Sequence, residues 1–242
     1  MVRKMVDGLK GFREWFGGYE ENYVIIGGTA CELLLNEVGE NFRATQDIDM
    51  VVIIEALDAN YGLQFWEYVK GGEYEYRNKS TGKPHFYRFT KPKKQGYPKM
   101  LELFSRHPDE IEFPSSARLT TLSLDDDVSS LSAILLDDEY YEFLRQGIKI
   151  IDALPILDAG HMIPFKAKAW LNLSKAKANG DNVDSKNIKK HQRDVLQLST
   201  LLMPEYHLKL PSDIEADVNE FLAENTDDSE ASMRIRAAFS LA

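Results

Sequence analysis

The chain has 242 residues, of which 43% are hydrophobic and 28% charged, and its net charge is −10. This composition is typical of a globular protein and argues against disorder. The negative charge argues against indiscriminate nucleic-acid binding. The single cysteine, Cys31, excludes an intramolecular disulfide and fits a reducing compartment. No apolar run approaches the roughly 20 residues that a membrane span needs, and the N-terminus lacks the apolar core of a signal peptide, so we expect a cytoplasmic protein without a membrane partner.

A strand, a glycine turn and a helix are predicted to follow one another near the N-terminus. Residues 23–26, Tyr-Val-Ile-Ile, form a short apolar run that ends at Gly27 and Gly28. Residues 29–38 are predicted to be helical, with Thr29 as the capping residue. This unit places a flexible backbone directly before the start of a helix.

The other elements indicate a mixed α/β region followed by helices only. Strands are predicted at 47–54, 85–90, 99–104 and 148–151, and helices near Leu9 and at 58–70, 138–146, 159–177, 185–202, 212–223 and 230–241. Residues 131–136 are a further candidate strand, and no strand is expected after 151. We therefore expect an α/β (α+β) fold with a mixed sheet and flanking helices in residues 1–158, and a helical C-terminal domain in residues 159–242.

Two aspartates begin the predicted strand at 47–54. Because side chains alternate along a strand, Asp47 and Asp49 should point to the same face. Two carboxylates held this close repel each other unless a cation lies between them, and Mg²⁺, or Mn²⁺, takes one or two carboxylates together with phosphate oxygens. Glu102 lies within another apolar strand, where a lone acid is costly unless it is paired or coordinated. It is the candidate third ligand, or the base that deprotonates an acceptor.

The glycine turn supplies the complementary part of a phosphate site. Gly27 and Gly28 let the backbone approach a ligand closely, and the following helix offers free N–H groups and a positive dipole to phosphate. Thr29 adds a hydroxyl. Glycine turns are common, and two exposed acids are often merely solvated, but the order of turn, helix and Asp-x-Asp strand is more specific than either motif alone.

This order of motifs resembles the nucleotidyltransferase superfamily, and most closely its AbiEii-type proteins, which include nucleotidyltransferase toxins. The resemblance rests on Ile26-Gly-Gly-Thr-Ala30 and on Arg43-Ala-Thr-Gln-Asp-Ile-Asp49. It implies a magnesium-dependent enzyme that transfers a nucleoside monophosphate from a nucleoside triphosphate to an acceptor. The acceptor is left open between RNA, protein and a small molecule, and an antitoxin protein is a possible partner.

The resemblance extends to two later segments. Lys166 matches the lysine of a family helix and is expected to contact the phosphates, and Asp194 matches an aspartate of a Lys-Asp-x-x-Asp motif. Asp194 is expected to hold Lys166 by a salt bridge in the absence of nucleotide, the alternative being an ordinary interhelix ion pair of small energetic value. The helical domain should close the nucleotide site. Two positions depart from the family pattern: His191 stands where the motif commonly has its first aspartate, and Glu102 stands in place of the more usual aspartate.

Two segments, 82–106 and 166–193, are rich in Lys and Arg. Each is interpreted either as solvated surface or as a basic wall that faces an anionic ligand. Lys168 lies roughly 200° around the helix from Lys166 and should point elsewhere.

Two alternative functions use the same residues. A glycosyltransferase with a nucleotide-sugar donor also employs Asp-x-Asp, although it requires neither the glycine turn nor the helical region. A catalytically inactive nucleotide-binding or protein-binding module would retain the fold without turnover.

Overall fold

The computed structural model describes residues 6–56, 59–75, 85–105, 134–135, 137–225 and 229–241. The chain divides into two compact units, one formed by Met1–Val128 with Ile148–Leu157 and the other by Ser129–Gly147 with Asp158–Ala242. Among the described residues, no helix combines the length and apolarity needed to cross a membrane.

The first unit is built on a six-stranded mixed sheet with the order β3-β4-β2-β1-β6-β5. The β1–β2, β3–β4 and β5–β6 pairs are antiparallel, whereas β1–β6 and β2–β4 are parallel. The strands are β1 (Tyr23–Ile26), β2 (Asp47–Val52), β3 (His85–Thr90), β4 (Met100–Ser105), β5 (Ile148–Ile151) and β6 (Leu154–Leu157). The unit also contains the helices α1 (Leu9–Trp15), α2 (Gly27–Glu37) and α3 (Ala59–Gly71), and a short 3-10 turn at Ile54–Ala56.

An aromatic layer joins α1 and α3 to one face of this sheet. Phe12 of α1 packs edge-on against Tyr23 of β1, with the ring centroids 5.8 Å apart. Phe65 of α3 packs against Phe89 of β3 at 5.5 Å. Since alternate residues of a strand face opposite ways, Asp47 and Asp49 lie on the face of β2 opposite to Ile48 and Met50.

The second unit consists of α4 (Asp138–Gln146), α5 (Ala159–Ala178), α6 (Ser185–Ser199), α7 (Ser212–Glu224) and α8 (Glu230–Phe239). Side-chain contacts fix its helices to one another. Asp217 of α7 accepts hydrogen bonds from the Tyr140 hydroxyl of α4 and from the Lys168 ammonium of α5, at 2.9 and 2.7 Å. Burial, with the Asp217 carboxylate as the next contribution, raises the pKa of Tyr140 well above its ordinary value.

Most predicted elements are confirmed, including the mixed α/β fold class, the strands β3 and β4, and the run of helices after residue 158. One omission is corrected: β6 follows β5 and joins the sheet beside β1. The two-residue turn between β5 and β6 has positive φ at both Asp152 and Ala153, which is the geometry of a type I′ hairpin turn. Asp-Ala lacks the usual glycine, and Pro155 is an unusual strand residue. The segment therefore has no sequence pattern that indicates a hairpin.

Two further expectations differ from the structure. Helix α2 begins at Gly27 rather than at Thr29, and its capping position is Ile26. Of the candidate strand at 131–136, only 134–135 are described, and they form a helical turn rather than a strand. The remaining residues of that candidate strand lie outside the described part of the chain.

Candidate functional site

A row of polar residues crosses three strands of the first unit at one level. Asp49 of β2 is in register with Ile26 of β1 on one side and with Glu102 of β4 on the other. Glu102 is in turn opposite Arg88 of β3. Because register partners point to the same side of a sheet, Asp49, Glu102 and Arg88 share a face, and this face ends at the glycine turn after Ile26.

Gly27 is in contact with the Asp49 carboxylate. A β-carbon on Gly27 would lie 2.2 Å from Asp49 Oδ2, and the backbone there has φ of 70°. An L side chain rarely adopts this backbone conformation, and no side chain atom fits between the two residues. Glycine is therefore required at position 27 both by the turn and by the carboxylate that packs against it.

The remaining residues of the turn are held by the segment that precedes β2. A β-carbon on Gly28 would meet Thr45 Oγ1 at 3.0 Å and Arg43 Nη2 at 3.4 Å. Thr29 is buried, and its hydroxyl donates a hydrogen bond to the backbone carbonyl of Asp47 at 2.5 Å. The hydroxyl of Thr29 thus ties α2 to the start of β2 in this structure.

Glu102 is paired with a cation of the protein itself. Arg88 Nε donates to Glu102 Oε1 at 2.5 Å, and the side chains are 27% and 9% exposed. Within the described part of the chain, no three His, Cys, Asp or Glu side chains are arranged as a metal site. Two neighbouring carboxylates still suit Mg²⁺, which takes the rest of its ligands from water and phosphate. The metal roles of Asp47, Asp49 and Glu102 stay predictions.

Glu32 was not identified from the sequence. It lies in α2 one turn after Gly28 and is buried, with 7% exposure, and its Oε2 has no hydrogen-bond partner among the described residues. Burial raises the pKa of the Glu32 carboxyl, and the charge of Arg43 partly offsets this increase. An apolar helix face with a single acid is the only signal in the sequence that could have indicated it.

Lys166 and Asp194 form a buried ion pair in the second unit. Lys166 Nζ lies 2.9 Å from Asp194 Oδ2, and the side chains are 1% and 0% exposed. The predicted salt bridge is therefore confirmed. Lys168 points to α7 and pairs with Asp217 rather than Asp194, so the predicted difference in direction is also confirmed. His191, one turn before Asp194 in α6, is buried as well.

Many cations of the two basic segments are paired with acids. In addition to the pairs of Arg88, Lys166 and Lys168, Lys91 pairs with Glu75, Lys94 with Glu73 and Lys175 with Glu220. These contacts favour the interpretation of the segments as locally neutralised surface and core rather than as continuous basic walls.

Comparison with solved structures gives a few likenesses, and the one that follows is distant. An antigenic nucleotidyltransferase-like protein from Paracoccidioides brasiliensis is similar in structure, with 17% sequence identity, a TM-score of 0.49 and coverage of 97% of each chain. No protein-family model and no curated protein matches the chain. A likeness at this level carries no inference about activity.

The contact between Gly27 and Asp49 predicts a specific effect of an added methyl group. Gly27→Ala should lose roughly 1–2 kcal/mol of unfolding free energy through the left-handed backbone, and about 1–3 kcal/mol more because the β-carbon overlaps the carboxylate. Gly18→Ala is the matched control, since Gly18 has φ of 90° with open space around it. Urea unfolding measures both, and equal losses would contradict the contact.

The buried ion pair predicts that Lys166 is structurally essential. Lys166→Ala should lower the free energy of unfolding by about 3–5 kcal/mol, because Asp194 is left buried without its cation. Lys175→Ala, in an exposed pair on the same helix, should cost at most about 1 kcal/mol. Lys166→Met combined with Asp194→Leu should recover most of the stability. If Lys166→Ala lowers the free energy of unfolding only slightly in urea, the ion pair between Lys166 and Asp194 is not formed in solution.

The burial of Glu32 predicts that removing its charge raises the thermal stability of the protein in a pH-dependent way. Its pKa is raised in the folded state, so its ionisation costs stability as the pH rises above the ordinary glutamate value of about 4.3. Glu32→Gln should therefore change the melting temperature little at pH 4 and raise it increasingly toward pH 7. Glu40→Gln, at an exposed position, should show no such trend. A constant difference between wild type and Glu32→Gln across this pH range would contradict the prediction.

Proposed function

We propose that the protein is a metal-dependent nucleotidyltransferase, which transfers a nucleoside monophosphate from a nucleoside triphosphate to an acceptor such as RNA or protein. The observation that supports this most is the contact of the Asp49 carboxylate with Gly27, at the start of α2. A metal-binding acid and a phosphate-binding turn are thereby adjacent.

Each residue of this site has a role that follows from its position. The backbone of Gly27 and Gly28 and the N-terminus of α2 would bind phosphate through N–H groups and the helix dipole. Asp47, Asp49 and Glu102 would hold Mg²⁺ or Mn²⁺, which when bound supplies positive charge that stabilises the reacting phosphate. As an alternative to a metal-ligand role, Glu102 would accept the proton of the attacking acceptor. Thr29 orients the start of β2 through the Asp47 carbonyl.

The contacts made by the residues of the motif support the resemblance to AbiEii-type proteins. Arg43 and Thr45 both lie against Gly28, so the Arg-x-Thr-x-Asp-Ile-Asp segment and the glycine turn form one structural unit. We infer the same class of enzyme on this basis. A toxin role, with an antitoxin protein as partner, is the corresponding biological hypothesis.

We assign catalysis to residues 1–158 and a supporting role to the helices of residues 159–242. The contact of Lys166 with phosphate stays a prediction. Its burial against Asp194 supports a structural role in the state described, so a loss of activity in Lys166→Ala has to be judged together with its unfolding free energy.

The test is nucleotidyl transfer by the purified full chain. Each of the four α-³²P-labelled nucleoside triphosphates is incubated with Mg²⁺ and either total RNA or a protein extract. We expect label to appear on one acceptor class. Asp49→Asn, which keeps the shape but removes the charge, should reduce the rate at least a hundredfold, whereas Asp181→Asn, at an exposed loop position, should leave it unchanged.

Other outcomes identify the alternatives. Triphosphate binding without transfer would indicate an inactive binding module. Transfer from a nucleotide sugar, with no pyrophosphate released from any triphosphate, would indicate a glycosyltransferase. If Asp49→Asn transfers nucleotide as fast as wild type does, the proposed active site is wrong.

A further inference from the structure

Arg88 occupies a position that the proposed reaction does not by itself explain. Its guanidinium binds the carboxylate of Glu102, which lies directly opposite Asp49 on the neighbouring strand. The four positions Arg88, Glu102, Asp49 and Ile26 follow one another across β3, β4, β2 and β1. The arginine therefore ends a row that begins at the glycine turn.

The ion pair resolves an electrostatic conflict. Neighbouring strands are about 4.8 Å apart, so two in-register carboxylates repel each other. Glu102 is also nearly buried, with 9% exposure, and a buried charge requires a partner. The guanidinium supplies that partner. A divalent cation bound between Asp49 and Glu102 would supply the same compensation, so the two cations compete for one carboxylate.

The two members of the pair differ in their freedom to move. Arg88 is 27% exposed and Glu102 only 9%, so the arginine can turn toward solvent more easily than the glutamate can. A guanidinium released in this way has the planar donor geometry that binds phosphate oxygens in pairs. Two other cations of the basic segment 82–106, Lys91 and Lys94, belong to exposed pairs with Glu75 and Glu73.

We propose that Arg88 is the resting counter-ion of Glu102, and that it moves to the nucleotide phosphates when a divalent cation takes its place on the carboxylate. This inference rests on the proposed function for the identity of the anion. It makes Arg88 a positioning residue for Glu102 in the resting state and a phosphate contact in the loaded state. No bond is made or broken in the exchange, and the net charge on Glu102 is compensated in both states.

The first experiment measures Mn²⁺ binding to the full chain without nucleotide, by electron paramagnetic resonance of free Mn²⁺. Arg88→Gln removes the competing cation, so it should bind Mn²⁺ at least tenfold more tightly than wild type does. Glu102→Gln and the double variant Arg88→Gln/Glu102→Gln should bind equally weakly, because the proposed competition is for the Glu102 carboxylate. A merely structural arginine would leave Mn²⁺ affinity unchanged or lower it, and either result overturns the proposal.

The second experiment measures binding of inorganic tripolyphosphate in saturating Mn²⁺, a probe that does not depend on the donor base. Arg88→Gln should bind tripolyphosphate at least tenfold more weakly than wild type, although its metal affinity has increased. Arg88→Lys keeps the charge without the bidentate fork, so it should retain the Mn²⁺ affinity of wild type and lose part of the tripolyphosphate affinity. Unchanged tripolyphosphate binding in Arg88→Gln contradicts the phosphate contact.

These measurements are independent of turnover. If they give the expected pattern while no nucleotide is transferred, Arg88 controls a cation site and the proposed function is wrong. If nucleotides are transferred and Asp49→Asn is inactive, but Arg88→Gln binds Mn²⁺ as wild type does, the transferase assignment holds and the Arg88 pair is an ordinary cross-strand contact. Circular dichroism of every variant, with Arg88→Lys as the one that preserves the ion pair, confirms that the comparison is made on folded protein.

Discussion

The contact between the Asp49 carboxylate and the α-carbon of Gly27 is the constraint on which the candidate site depends. It exists because β1 and β2 pair antiparallel with Ile26 opposite Asp49, so that the residue after Ile26 meets the acid. A shift of the register by one residue would turn Asp49 to the aromatic face. The glycine fixes the turn, the turn fixes the start of α2, and the Thr29 hydroxyl then ties that helix to the strand of the acids.

Buried charges are compensated differently in the two units. In the first unit, Arg88 is partly exposed while Glu102 is nearly buried, and the carboxylate has a second acid beside it. This is the pair for which we propose an exchange of cations. In the second unit, Lys166 and Asp194 are both fully buried, and separating them leaves an uncompensated charge in a low-dielectric interior. The first arrangement suits the proposed binding and release of a cation. The second suits a fixed connection between α5 and α6.

Much of this molecule could be predicted because its local signals agree with its tertiary structure. The apolar run before Gly27, the Asp-x-Asp strand and the amphipathic C-terminal helices all form the elements that their patterns indicate. The β5–β6 hairpin was missed because its turn uses Asp152 and Ala153 at positive φ without a glycine. Glu32 and Arg88 were missed as well, since a single charged residue in a helix or strand has no local pattern that reveals its partner.

The sequence by itself determined the order of the elements other than β6, the α/β class and the adjacency of Asp47 and Asp49 on one face, because these follow from side-chain periodicity and turn chemistry over a few residues. Only the tertiary structure decided that Glu102 lies beside Asp49, that Arg88 neutralises it, and that Lys166 is closed on Asp194. Those contacts join residues that are distant in the chain. Strand order, register and helix packing fix them, and no local pattern encodes these three quantities.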